Sequence, residues 1–138
     1  MDTLVVYYSY SGKTENIAQE LAAKESADII EIKEKKRPSK LKAYTAGIIA
    51  SIKGNSWPIL PLDAEFAKYG KLVLLSPVWA GNPPPAFNAM MQQLPSGKAV
   101  SVIMVSASGK SDCKERLETM IKDKGSELES FEDIKVPR

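Results

Sequence analysis

Residues 71–83 read KLVLLSPVWAGNP, and the first half of this stretch decides the fold. Leu72, Val73, Leu74 and Leu75 form a continuous apolar run. A central parallel strand reads this way when both faces of its sheet are covered, so helices are expected above and below it. The run passes directly into Ser76-Pro77-Val78-Trp79-Ala80-Gly81, which sets a large aromatic just beyond the end of a buried strand.

Outward from this strand, strand-like and helix-like patterns alternate. On the amino side, Thr3–Tyr8 (TLVVYY) is a short β-rich apolar run, after which Ile17, Ala18, Leu21 and Ala22 recur at helical spacing. Ala27–Lys33 alternates apolar and polar through Ile30 and Ile32 and suits a less buried strand. Leu41, Tyr44, Ile48, Ile49 and Ile52 then make one apolar stripe of a second helix, with Gly54 as its stop. On the carboxyl side, Pro85 suits a first helical position before Phe87, Met90, Met91 and Leu94, in a helix that ends before Pro95. Ala99–Val105 (AVSVIMV) is another buried strand, followed by Cys113, Leu117, Met120 and Ile121 on one helical face with Gly125 as the stop. Leu128–Val136 is a weak, charge-rich strand suited to a sheet edge. Five strands and four helices in alternation predict an α/β fold, a doubly wound parallel sheet forming a single domain over residues 1–138. Ligands of such sheets bind beyond the carboxyl ends of the strands, where strand order reverses, which directs attention to the loops after the first, third and fourth strands.

Composition removes whole classes of chemistry. The 138 residues include no histidine and one cysteine, Cys113, so zinc sites, Ser-His-Asp or Cys-His catalysis and an internal disulfide cannot be built. Helical spacing already accounts for Cys113 as a core residue. Nineteen basic against seventeen acidic side chains give a net charge of +2, too slight for sequence-blind nucleic-acid binding. The apolar runs fall far short of the roughly 20 residues that cross a bilayer, and no secretory signal is visible. No membrane partner and a cytoplasmic location are therefore expected. Any difficult chemistry falls to a small cofactor.

The first loop, Ser9-Tyr10-Ser11-Gly12-Lys13-Thr14, offers three serine and threonine hydroxyls and a glycine directly before a helix. Backbone N–H groups, the positive end of the helix dipole and the hydroxyls of Ser9, Ser11 and Thr14 can converge on one phosphate, with Gly12 permitting close approach. An ordinary helix cap by Ser11 or Thr14 would use the same residues. A Walker A loop needs glycine where Tyr7 stands, and no G-x-G-x-x-G occurs. In the second loop the flat face of Trp79 can cover a heteroaromatic ring while Ala80 and Gly81 let backbone approach the ring edge; packing beneath its own loop is the alternative. The third loop, Ser106-Ala107-Ser108-Gly109, is small and polar and leaves room for a ring.

Taken together these loops resemble the flavodoxin family, whose short members carry S/T-x-S/T-G-x-T after the first strand; here the motif stands as SYSGKT, residues 9–14. The likeness continues through Leu41–Gly54, Tyr69–Gly81 and Ser106–Gly109, and so covers most of the chain in order. It implies strand order 2-1-3-4-5 with FMN at the switch point, as in the flavodoxin example of the general rule for such sheets. By matched position, Ser9, Tyr10, Ser11, Gly12, Lys13 and Thr14 would hold the FMN phosphate, with Asn16 assisting. Pro77, Val78 and Trp79 would flank the isoalloxazine with Trp79 stacked on it, Ala80 and Gly81 would present backbone to N5, and Ser106, Ala107, Ser108 and Gly109 would line the pyrimidine side. No side chain need be a catalyst, since the protein's task is to tune the flavin.

The resemblance implies electron transfer between partner proteins through the flavin. The alternative is an NAD(P)H-dependent FMN oxidoreductase that reduces a quinone or similar acceptor. A non-flavin signalling module of the phosphorylated receiver type would need acidic residues where Tyr8-Ser9 and Ser76-Pro77 stand. Electron-carrying flavodoxins are strongly acidic, whereas this chain is mildly basic and places Lys33, Lys35, Lys36, Arg37, Lys40 and Lys42 between its second strand and second helix. That run reads as a solvated connection, and next as a dock for an acidic redox partner. Trp57 reads as a loop anchor, a dimer surface or a shield for the flavin's dimethylbenzene edge, and the chain as a monomer or homodimer.

Overall fold

The computed structural model describes residues 2–137. Five strands, β1 (Asp2–Tyr7), β2 (Asp28–Glu31), β3 (Tyr69–Pro77), β4 (Ala99–Ser106) and β5 (Glu127–Lys135), form one sheet in the order β2-β1-β3-β4-β5. Every neighbouring pair is parallel. The α/β doubly wound arrangement expected from the alternation is the one observed. The strand order reverses between β1 and β3, so the carboxyl ends of those two strands flank a natural crevice.

The two faces of the sheet are covered unequally. On one face Leu4, Val6, Leu72, Leu74, Val100 and Val102 pack with Phe87, Met90 and Met91 of α4 (Pro85–Gln92) and with Leu117 and Ile121 of α5 (Lys114–Asp123). On the other, Val5, Tyr7, Val73 and Leu75 meet Ala18 and Ala22 of α1 (Lys13–Glu25). Pro85 occupies the start of α4, where its missing N–H costs nothing. Cys113 is fully buried just before α5, and desolvation pushes its thiol pKa up, which keeps it an inert packing group.

Two elements depart from the periodicity. β2 ends at Glu31, short of Lys33, because the chain there leaves the sheet to pair with residues 58–60: Leu60 N–H donates to the Lys33 carbonyl (2.7 Å) and Lys35 N–H to that of Pro58 (3.0 Å). The second helix is composite, with a π-helical turn Ala43–Gly47 between α2 (Lys40–Lys42) and α3 (Ile48–Lys53), and it stops at Gly54 in a left-handed conformation (φ 73°). It presents small residues to the body, since Ala43, Gly47, Ala50 and Ser51 are buried. Most of the large apolar stripe points out: Leu41, Tyr44, Ile49 and Ile52 are 75%, 74%, 55% and 58% exposed. The reason lies at Gly47, where a Cβ would stand 2.8 Å from Trp79 Cζ3 and 3.4 Å from Trp57 Cη2. Only a helix with a bare backbone at that point can lie so close to the Trp79 indole. Trp57 lies against Gly47, with its backbone N–H donating to the Pro85 carbonyl (3.3 Å).

Candidate functional site

The loop after β1 is built around Gly12, whose φ of 101° suits only glycine and whose missing Cβ faces open space. Ser9 is buried and its Oγ accepts from Gly12 N–H (3.1 Å), so this hydroxyl shapes the loop from within. Gly12 is also the N-cap of α1, and no side chain caps the helix. Neither Ser11 nor Thr14 takes the capping role that a plain helix start would give it. The first-turn amides of a helix have no intrahelical acceptor, and with the dipole's positive end they leave this loop chemically suited to an anion.

The loop is braced from the β2 side by Arg37, whose guanidinium donates to the carbonyls of Tyr10 (2.6 Å) and Ser9 (3.3 Å) and lies 4.6 Å over the Tyr10 ring. Arg37 also pairs with Glu34 (3.4 Å), a carboxylate whose side chain is only 2% exposed and whose other oxygen accepts from Tyr8 Oη at 2.5 Å. Burial first, and then the bond to Glu34, push the Tyr8 phenol far above the ordinary tyrosine range. Tyr8 and Tyr10 in turn meet the Trp79 ring edge-on, at 6.2 Å and 5.8 Å between centroids. The phosphate-type loop and the tryptophan are thus held by one continuous network.

Three cavities run across the carboxyl ends of the strands. One of about 570 Å³ lies between the first loop and the β2 side, bordered by Ser9–Gly12, Glu34 and Arg37. The next, about 660 Å³, shares Tyr10 and Ser11 with it and is walled by Val78, Trp79 and Ala80 opposite Lys40, Ala43, Tyr44 and Ile48 of the composite helix. The last, about 440 Å³, shares Val78 and Ala80 and continues along Gly81, Ser106, Ala107 and Ser108 to Asp112. The three loops singled out in the sequence therefore border a row of adjoining cavities, a cleft whose parts share Tyr10, Ser11, Val78 and Ala80 as common walls.

Not every expected residue lines it. Lys13 turns its ammonium away to the Pro137 carbonyl (2.6 Å), and Thr14 is buried in the first turn of α1. Asn16 is exposed, with its backbone N–H donating to the Gly12 carbonyl (3.1 Å). Pro77 sits in β3 opposite Val105, and Gly109 closes the third loop by donating its N–H to Ser106 Oγ (2.9 Å). Conversely, Lys40, Tyr44, Ile48 and Asp112 line the cleft without having been anticipated there. Lys40 and Tyr44 belong to the basic run and apolar stripe visible in the sequence, but only the packing of Gly47 on Trp79 brings them to the cleft.

Residues Trp79–Asn82 form a tight turn, with Trp79 N–H donating to the Asn82 carbonyl (2.7 Å) and Asn82 N–H donating back (3.1 Å). Both central residues are left-handed, Ala80 at φ 52° and Gly81 at φ 80°, as a type I′ turn requires. For alanine that conformation costs about 1–2 kcal/mol, partly offset in glycine by greater unfolded-state freedom. Ala80→Gly is expected to stabilise the chain by about 0.5 kcal/mol in urea unfolding. A loss of stability would show that the exposed Ala80 methyl makes a contact that matters.

A sequence model of the flavodoxin family matches residues 2–129. The chain belongs to the flavodoxin family. No curated protein matches the sequence. Among solved structures it is similar to a flavoprotein from Lactobacillus acidophilus NCFM in complex with FMN, at 21% identity and a TM-score of 0.74, over 94% of this chain and 91% of that one. The apo form of the flavoprotein from the same organism superposes with a TM-score of 0.68 at 19% identity, over 96% and 92% of the two chains. A flavodoxin from Streptococcus pneumoniae TIGR4 is 14% identical, with a TM-score of 0.56 over all of this chain and 87% of that one. At these identities the structural likeness speaks to the fold, and this flavodoxin-family chain shares its five-stranded 2-1-3-4-5 sheet with them. No helix among the described residues is long and apolar enough to cross a membrane.

Proposed function

We propose that this flavodoxin-family chain binds FMN in the cleft and passes electrons between partner proteins. The observation that supports the reading is that no side chain caps α1, that its N-cap Gly12 borders the first-loop cavity, and that Ser11 is shared between that cavity and the one Trp79 walls. The first-turn amides and the Ser11 hydroxyl would take the phosphate, Trp79 and Val78 would flank the ring, and Ala80–Gly81 and Ser106–Ser108 would border its polar edge. The FMN complex of the Lactobacillus acidophilus flavoprotein, on the same fold, supports the choice of cofactor. FMN, when bound, takes up and releases one or two electrons, and the chain's own part is to bind it, orient it and keep water from one face.

Titration of FMN into the purified chain tests this. Quenching of flavin fluorescence that saturates at one FMN per chain, with the yellow colour retained through desalting, is the expected result. Free passage of FMN through the column would exclude the reading. For a carrier, anaerobic mixing with NAD(P)H should leave the bound flavin's absorption unchanged over minutes, whereas rapid bleaching would assign hydride acceptance instead.

A further inference from the structure

We propose that the outward face of the helix spanning residues 40–53, with its rim of cations, is the dock for a small acidic redox protein. The inference rests on the FMN reading for its purpose, though not for its geometry. This helix is inverted relative to an ordinary surface helix, which buries its large apolar residues and exposes polar ones. Here Ala43, Gly47, Ala50 and Ser51 face the body, while Leu41, Tyr44, Ile49 and Ile52 face solvent. Outward side chains of that size form a patch of the kind that marks an interaction site.

Charge says what kind of molecule covers it. Residues 33–53 contain seven basic side chains, Lys33, Lys35, Lys36, Arg37, Lys40, Lys42 and Lys53, against one acidic, Glu34, for a net +6. The whole chain carries +2, so the remaining residues carry a net −4. Arg37 is taken up by the buried Glu34 and Lys33 by Glu31 (3.8 Å), which leaves Lys35, Lys36, Lys40, Lys42 and Lys53 as the exposed cations of this stretch. A second copy related by two-fold symmetry would set this rim against its own like charge. An acidic partner meets it with opposite charge and is steered toward it from a distance.

Position separates a redox protein from a lipid surface. Tyr44 belongs both to the exposed patch and to the wall of the cleft opposite Trp79, and Ile48 and Lys40 line that wall beside it. A partner seated on the patch is one helix away from the cleft contents, and apolar contact at the centre with cations around it gives the orientation that short-range electron transfer needs. A membrane would use the same charge and apolar area without any need for this placement.

The test uses a two-cluster ferredoxin, reduced anaerobically, as the acidic redox protein. It is mixed with the FMN-loaded chain at about 50 mM and about 500 mM salt, a range over which electrostatic steering is largely screened. The rate constant of flavin reduction is expected to fall at least about tenfold with salt. The double variant Leu41→Ser, Ile52→Ser is expected to lower it at least about fivefold at low salt, with FMN affinity unchanged, since neither side chain borders the cleft. A rate that responds to neither change overturns the proposal. So does a wild-type dimer in sedimentation that the double variant converts to monomer, which would show the face covering its own copy. Co-sedimentation with phosphatidylglycerol vesicles, lost in the double variant while the ferredoxin rate stays intact, would assign a membrane and overturn it equally. Salt-sensitive ferredoxin binding by a chain that takes up no FMN would leave the dock standing and remove the cofactor reading.

Discussion

Ser11→Asp is expected to weaken FMN binding about 100-fold, or about 2.7 kcal/mol, with the fold intact. Ser11 is exposed and borders both the first-loop cavity and the cleft walled by Trp79. A carboxylate there opposes the phosphate in two ways: it repels a like charge, and it competes for the positive end of the α1 dipole just beyond Gly12. A negative charge near the start of a helix also stabilises the empty protein by about a few tenths of a kcal/mol, so urea unfolding of the apo form should show no loss. Fluorescence titration gives the affinity and chemical denaturation the stability. An unchanged dissociation constant would take the phosphate away from this loop, whatever else the cleft binds.

Tyr8→Phe should cost about 2–3 kcal/mol of stability at neutral pH. Tyr8 is fully buried and its hydroxyl is the close partner of Glu34 Oε2, while Arg37 reaches only the other oxygen, at 3.4 Å. Removing the hydroxyl leaves a buried carboxylate oxygen without its donor, and hydrogen bonds to charged groups are at the strong end of the scale. The pH dependence has a definite sign. Because the folded-state phenol pKa is raised above its unfolded value of about 10, the folded chain holds a proton that the unfolded chain gives up. That contribution is whole below about pH 10 and fades as pH rises further. Wild type and Tyr8→Phe should therefore differ most near neutrality and converge in alkaline solution. Urea unfolding from pH 7 to 11 would show it. A cost under about 1 kcal/mol would mean that Glu34 is satisfied by other means.

What could be read from the sequence, and what could not, divides along physical lines. Strands that must be covered on both faces announce themselves by unbroken apolar runs, as at Leu72–Leu75, and Pro85 and Gly54 mark helix ends through their own backbone limits. The first loop and Trp79, Val78 and Ala80 were legible as a group because each follows a strand whose end faces the same crevice. The orientation of the 40–53 helix was not. Periodicity counts apolar residues without weighing their size, and the small ones won the interior because an indole ring occupies the space above Gly47. The direction of the Lys13 side chain is hidden for a similar reason: its position in the motif fixes its backbone, whereas its long side chain is free to find the Pro137 carbonyl. Lys40 and Tyr44 reach the cleft from a distant stretch of chain, which no local pattern reports.

The chain has two tryptophans, and both abut the same glycine. Its intrinsic emission therefore reports on a single seam, the one where the inverted helix rests on the strand ends, and hardly at all on the far edge of the sheet. A cofactor sliding into the crevice, a protein pressing from outside and a denaturant lifting the helix away all act on that seam. The unlabelled molecule carries its own optical gauge at the place where its chemistry is expected.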